Sequence, residues 1–240
     1  QCCRTADVYF RWFCDYVVKS VKDFEFLGAT VEEREANWAR GGYKLYTTLD
    51  TQAQVAAQNA LWAYTPPSEQ VFRLGSAASS VQPGTGRVMV MAENKYFDDA
   101  LEPADPVQST AVNFNTSLSY GNSSGIQSGS TYKLFTLLQW LNTGHGVNEV
   151  LNGSARTEPA SSFNDRCTGA IDQFKFKNNS GEAGNFTVRY GTVQSINGMF
   201  VWMARQLDLC DINQLAASLG VKMGLETTLP NNPSSILGVT

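Results

Sequence analysis

Apolar residues recur at helical spacing from Asp7 to Phe26, which predicts a helix, and the charged run VEEREANWARGG behind it reads as a connector. In GGYKLYTTLD the period changes to two. Tyr43, Leu45, Thr47 and Leu49 share one face and Lys44, Tyr46, Thr48 and Asp50 the other, the pattern of a strand. Thr51 and Gln54 stand at capping-box spacing ahead of the alanine-rich AQVAAQNALWAY, so a helix is expected to follow. TPPSEQ then breaks the chain. Two strand-like segments, 71–82 and 86–97, flank PGTG and predict a hairpin. Residues 98–129 are rich in Asn, Ser, Pro and Gly and predict loop with short elements.

A helix is expected next, opened by Gly129 and Ser130 and closed by Gly144, with Leu134, Leu137, Leu138 and Leu141 as its buried stripe. Beyond a polar stretch at 152–192, SINGMFVWMARQLDL predicts a second buried helix on Met199, Val201, Trp202 and Leu207, and INQLAASLG a third. A hairpin followed by several helices predicts an α+β fold, an antiparallel sheet beside a helical cluster. The chain shows no internal repeat and no low-complexity tract.

Composition narrows the function classes. At 240 residues and 42% hydrophobic, the chain can bury one large domain, or one domain and a connecting segment. Its 18 basic and 22 acidic residues leave a net charge of −4 with no basic run, so nucleic acid is not an expected partner. No apolar stretch approaches the roughly 18 to 20 residues needed to cross a bilayer, and no signal peptide is visible. The chain begins at Gln1 instead of Met and is expected to be a piece of a longer protein, with any membrane anchor outside it.

Cysteines stand at 2, 3, 14, 167 and 210, none in a CxxC pair, and His145 is the one histidine, so no metal site is expected. Cys167 and Cys210 fit a disulfide, worth on the order of 4 kcal/mol in the chain-entropy picture, and equally fit buried free thiols. A bridge from Cys3 to Cys14 requires a broken helix. An unbroken one would hold their Cα atoms roughly 16 Å apart. Sequons at Asn115, Asn122, Asn152, Asn178 and Asn185 carry no weight, because an Asn- and Ser-rich surface generates them by chance.

The candidate chemistry lies at Ser130 and Lys133, three positions apart and therefore on one helix face within hydrogen-bonding reach. A serine hydroxyl becomes a good nucleophile when a base takes its proton. Lysine serves as that base once burial lowers its pKa, and Tyr132, Leu134 and Phe135 offer apolar surroundings. A helix N-terminus at Ser130 would favour developing negative charge. The tetrapeptide alone better fits a helix cap followed by a solvated lysine, because four-residue patterns recur by chance. Two facts shift the balance: no other serine in the chain has lysine three residues later, and a first-turn lysine opposes the helix dipole without structural gain.

Around these residues, SSGIQSGSTYKLFTL resembles the nucleophile segment of penicillin-binding transpeptidases, commonly SSGFQPGSTFKPFTL, in the superfamily marked by S-x-x-K, S-x-N and K-[ST]-G motifs. GGYKLYTTLDTQAQVAAQNAL is similar to the GGLTIYTTLDPKLQ segment before this domain in bifunctional, class A penicillin-binding proteins, and QPGTGRVMVMAEN to their DPKTGEVLAMV hairpin. The three segments span residues 41–144 in order.

This resemblance implies a β-lactamase/transpeptidase-like fold. It makes residues 1–70 the connector from a glycosyltransferase domain and 71–240 the N-terminal part of a transpeptidase domain whose C-terminal strands are missing. Ser130 is then the nucleophile and Lys133 its base. Of the two S-x-N candidates, Ser195-Ile196-Asn197 is preferred to Ser162-Phe163-Asn164 because it opens an apolar helix, as the family's SVNTAF does. Ser195 would relay protons, and Asn197 would hold Lys133 and the substrate's peptide chain.

Departures from the pattern are Ser128 and Leu134 where proline is usual, Gly198 for threonine, and the absence of K-[ST]-G. Lys222-Met223-Gly224 has no hydroxyl to replace that motif. The implied activity is D,D-transpeptidation on peptidoglycan stem peptides, with β-lactam antibiotics as mimics, no cofactor, and an extracytoplasmic location. The alternatives are a silent module of the same fold and a serine β-lactamase. Glu226 in ETTLP faintly matches the deacylating segment of the latter but is better read as a solvent-facing side chain, and His145 as a helix-end residue.

Overall fold

The computed structural model describes residues 2–69, 71–72, 74–100, 103–168, 173–225 and 228–239, so Glu226 lies outside the described residues. The chain folds as two compact units, Gln1–Gly125 and Ile126–Thr240.

In the first unit, α1 (Cys2–Thr5) and α2 (Arg11–Lys19) are separated by a break that replaces the single helix expected from Asp7. That break brings Cys3 and Cys14 to a Cα separation of 5.5 Å, and they form a disulfide. Two 3-10 turns, Ser20–Asp23 and Glu25–Leu27, take up the rest of the expected helix.

The run read as a connector is largely helical, α3 (Val31–Arg40). Thr30 Oγ1 accepts from Glu33 N at 3.2 Å and the Glu33 carboxylate accepts from the Thr30 amide, a complete capping box.

The strand expected at 41–50 does not form. Its alternation is real, but Tyr43 and Leu45 are exposed like their neighbours, and a single backbone bond, Asp50 N to Met89 O at 3.0 Å, ties the segment to the hairpin. Period two marks a strand only where one face is buried.

α4 (Thr51–Tyr64) starts one residue earlier than the capping-box spacing suggests. Asp50 is its cap, accepting from Gln52 N and Ala53 N, which leaves Gln54 for another task.

The predicted hairpin is present as β1 (Ala77–Val81) and β2 (Val88–Glu93), antiparallel, with Gln82 N donating to Arg87 O across the turn. Gln54 is fully buried and bonds both backbone groups of Met91 at 2.9 Å, so α4 is stitched to β2 by a side chain that mimics a strand rung. β3 (Tyr96–Phe97) and β4 (Ser109–Thr110) form a short parallel pair, and α5 (Leu118–Gly121) follows. Trp12, Phe13, Met91 and Phe97 make the core of this unit.

The second unit begins with a 3-10 turn at Gly129–Tyr132 that runs into α6 (Lys133–Asn142). In and just ahead of the polar stretch at 152–192 lie four short strands, β5 (Val150–Asn152), β6 (Thr157–Glu158), β7 (Phe174–Lys175) and β8 (Asn185–Thr187). They pair antiparallel as β5 with β8 and β6 with β7. α7 (Val188–Val193), α8 (Asn197–Gln206) and α9 (Leu209–Ser218) form the helical cluster, and a 3-10 turn at Ser235–Leu237 packs on the Gly129–Tyr132 turn.

The fold is thus mixed helix and strand. In place of the one antiparallel sheet expected, the described residues form separate two-stranded pairs. Cys167 and Cys210 are disulfide-bonded at a Cα separation of 5.6 Å, which settles the choice the sequence left open. No helix among the described residues is long and apolar enough to cross a membrane.

The buried face of α6 differs from the leucine stripe. Leu134 and Leu141 are exposed at 51% and 41%, while Lys133, Thr136 and Trp140 turn inward. Trp140 packs with Phe163, Met199, Phe200 and Ile212 in the core of this unit. His145 stacks on Trp140 and its Nδ1 lies 3.1 Å from Glu149, just past the end of α6, which is the helix-end position expected.

Candidate active site

Ser130 is exposed in the tight turn ahead of α6, held by two features. Gly129 supplies the positive φ (55°) that the turn requires, and its N–H donates to Gly238 O at 3.2 Å. The approach is close: a Cβ on Gly238 would lie 1.7 Å from Gly129 O. Behind the turn, the buried Tyr132 hydroxyl donates to Asn213 Oδ1, whose Nδ2 in turn donates to Pro230 O at 2.9 Å. Burial pushes the Tyr132 phenol up to about 12.

Ser130, Thr131, Lys133, Leu134, Leu137, Thr192, Ser195 and Phe200 line one cavity of about 280 Å³. Lys133 is 3% exposed at its wall, yet its amine is fully partnered. Nζ lies 2.8 Å from Ser195 O, 2.9 Å from Ser195 Oγ and 2.6 Å from Asn197 Oδ1, with the Phe200 ring centroid at 5.3 Å.

Burial lowers the pKa of this lysine to about 8, and the negative charge of Glu182 acts in the opposite direction. The three contacts accommodate the neutral amine. Two N–H groups serve Ser195 O and Asn197 Oδ1, which can only accept, and the Ser195 hydroxyl donates to the lone pair.

Of the residues read from the sequence, the structure brings Lys133, Ser195 and Asn197 into direct contact and sets Ser130 on the same cavity. The expected Ser130–Lys133 hydrogen bond is not formed, because Ser195 and Asn197 take the valences of the amine. Ser195 sits at φ 53°, a left-handed conformation that costs a serine roughly 1–2 kcal/mol and bends the chain so that its carbonyl and hydroxyl face the same amine.

The rejected triplet Ser162–Asn164 lies elsewhere. Phe163 and Asn164 line a separate cavity of about 570 Å³, and Asn164 O accepts from Leu209 N. Lys222, Met223 and Gly224 follow α9 in irregular chain. Asp165, Cys167 and Cys210 cluster within metal-ligand reach, but their two sulfurs are bonded to each other.

Sequence reasoning missed the groups that aim Asn197. Its Nδ2 donates to Lys177 O at 2.6 Å, which leaves Oδ1 facing Lys133. It also missed Thr192 and Phe200 on the cavity wall and the charge of Glu182. The signal available was the alternation at Phe174, Phe176 and Asn178, which puts an amide at an inward position.

No protein-family profile matches the chain, and neither does any curated protein sequence. Solved structures do match. The penicillin-binding protein PonA1 from Mycobacterium tuberculosis superposes with a TM-score of 0.63 at 19% identity, over 93% of this chain and 51% of that one. PonA1 in complex with penicillin V gives 0.63 at 21%, over 93% and 54%. The chain therefore spans about half the length of these neighbours and has the fold of that part of a penicillin-binding protein.

Proposed function

We propose that the chain is the nucleophile-bearing part of a penicillin-binding D,D-transpeptidase. The carrying observation is a buried lysine with a lowered pKa, held by Ser195 and Asn197 on a cavity that also exposes Ser130. The motif resemblance around these residues and the fold of the PonA1 structures support the same reading.

In it, Ser130 Oγ attacks the carbonyl of the penultimate D-Ala of a stem peptide as its proton passes to neutral Lys133. The Ser130 backbone N–H supports the oxyanion. The peptide C–N bond breaks, and Ser195 hands the proton from Lys133 to the departing D-Ala amine. A neighbouring stem's amine then attacks the ester, giving up its proton as Ser130 regains one. Lys133 and Ser130 need to close to a hydrogen bond only in the substrate complex, as catalytic contacts commonly do. β-Lactams acylate Ser130 in place of the stem peptide.

On this reading residues 1–70 are connector, 71–240 belong to the transpeptidase domain, and the protein works outside the cytoplasm. Two disulfides agree with an oxidising compartment. A silent module of the same fold is the second reading, favoured by one observation: Ser130 and Lys133 are not hydrogen-bonded.

Intact-mass spectrometry after mixing with benzylpenicillin tests the two, beside a Ser130→Ala control, on this chain and on the full product of its gene. A one-to-one adduct lost in the control is expected. A folded protein that forms no adduct in either version overturns the transpeptidase and leaves the silent module.

A further inference from the structure

The start of α8 lacks a cap of its own. Helix N-termini leave backbone N–H groups without partners, usually met by an Asp, Asn, Ser or Thr at the cap position. Here that position is Ile196, which has no group to offer and is 1% exposed in the core. Ser195, one residue earlier, turns its hydroxyl to Lys133 instead of the helix end.

The missing acceptor comes from another segment. From β7 onward burial alternates, with Phe174 half-buried, Phe176 buried and Asn178 buried at 8% exposure, while Lys175 and Lys177 between them are exposed. An amide at the third inward position must be fully hydrogen-bonded to be tolerated there. It is: Asn178 Oδ1 accepts from Gly198 N at 2.9 Å, and Nδ2 donates to Gly153 O and to Glu182 O, each at 2.7 Å. One residue earlier, the Lys177 carbonyl orients the Asn197 amide.

Gly198 completes the arrangement. A Cβ there would lie 2.0 Å from Gly153 O, the atom that Asn178 also holds. The backbones of Gly153 and Gly198 thus touch, and one buried amide spans both.

We infer that Asn178 is a positioning residue, an N-cap lent to α8 by the 174–178 segment, which fixes Ser195 and Asn197 where they meet the amine of Lys133. The inference rests on the acyl-transfer reading for its consequence, not for its geometry. It also closes the Asn178 sequon to glycosylation, since the amide nitrogen is buried and doubly bonded.

The test compares wild type with Asn178→Leu, of similar size but with no polar valence, and Asn178→Asp, which keeps an acceptor for Gly198 N and loses both donors. Two readouts are taken on the whole chain: the rate constant for acylation by benzylpenicillin, and the titration midpoint of Lys133 followed by NMR of labelled lysine, which needs no acylation. Ile212→Val, a core change in α9 away from the cavity, controls for simple destabilisation.

Asn178→Leu is expected to slow acylation at least tenfold and to move the Lys133 midpoint up from about 8 toward 10.5 as the site loosens and admits water. Asn178→Asp should fall between it and wild type, and Ile212→Val should lower the melting temperature without moving the midpoint. If the leucine variant does not fold, the aspartate variant is read alone.

An unchanged rate and midpoint in a folded Asn178 variant overturns the inference. If wild type is never acylated while the Asn178 variants still shift the Lys133 midpoint, the positioning role stands and the transpeptidase reading falls.

Discussion

If the proposed acyl transfer holds, the rate of acylation follows the deprotonation of Lys133. Its pKa is lowered from 10.5 to about 8 by burial, with Glu182 opposing, so at pH 7 about a tenth of the molecules carry the neutral base, against about three in ten thousand for a solvated lysine. The gain in competent fraction is roughly 300-fold. Raising the pH from 7 to 9 lifts the neutral fraction, and with it the rate, about tenfold, after which the profile levels off.

The same shift has a cost in stability. The folded state binds this proton more weakly than the unfolded chain, so the penalty is fully present below about 8 and is relieved as pH rises through 8 toward 10.5. It amounts to something on the order of 3 kcal/mol. The assay is the second-order rate constant for benzylpenicillin, from quenched intact-mass time courses between pH 6 and 10 and corrected for hydroxide attack on the drug. Lys133→Arg, always protonated, should lose about two to four orders of magnitude. A flat profile through pH 9, or an inflection near 10.5, would refute the claim that buried Lys133 is the base.

Further predictions concern packing and stability. Gly198→Thr restores the residue that the family resemblance calls for, yet its Cβ would collide with Gly153 O, so it should destabilise the second unit by about 3 kcal/mol; a melting temperature equal to wild type contradicts the close approach. Glu93 is 1% exposed, and burial raises its pKa to about 8 despite hydrogen bonds from Phe114 N and Asn115. Its contribution to the first unit is therefore complete below about 4.5 and lost as pH rises through about 8. Glu93→Gln should flatten the fall in unfolding midpoint between pH 5 and 8, and a slope that persists in the variant rejects Glu93 as its source. Replacing both Cys167 and Cys210 by serine should cost the second unit on the order of 4 kcal/mol in chemical denaturation, and an unchanged midpoint rules the bridge out as a stabiliser.

The elements legible in the sequence were those whose burial is purely apolar. α8 and α9 follow the helical period because their inward faces are Met199, Phe200, Val201, Ile212 and their like, and PGTG announces the hairpin by its turn residues. Reading failed where polar groups are buried. On α6 the leucines suggest one period, while the inward face carries Lys133 and Thr136. Gln54 fits a cap by its spacing and instead pairs with Met91. Residues 41–48 are all exposed, so their alternation has no buried face.

At the site, spacing and resemblance named the side chains that meet, Lys133, Ser195 and Asn197. The left-handed Ser195, the borrowed cap from Asn178 and the Gly153–Gly198 contact depend on residues far apart in the chain, and no local pattern announces such a meeting.

The bond from Gly129 to Gly238 joins the turn that carries Ser130 to one near the far end of the same unit. A chain emerging from its N-terminus therefore exposes Ser130 long before the residues that clamp its turn have been made. A contact between such distant positions closes a large loop, so it forms late, after the intervening helices have packed. A nascent or half-folded copy then carries Ser130 in an unclamped turn, and on the acyl-transfer reading only the finished unit holds that serine ready for attack.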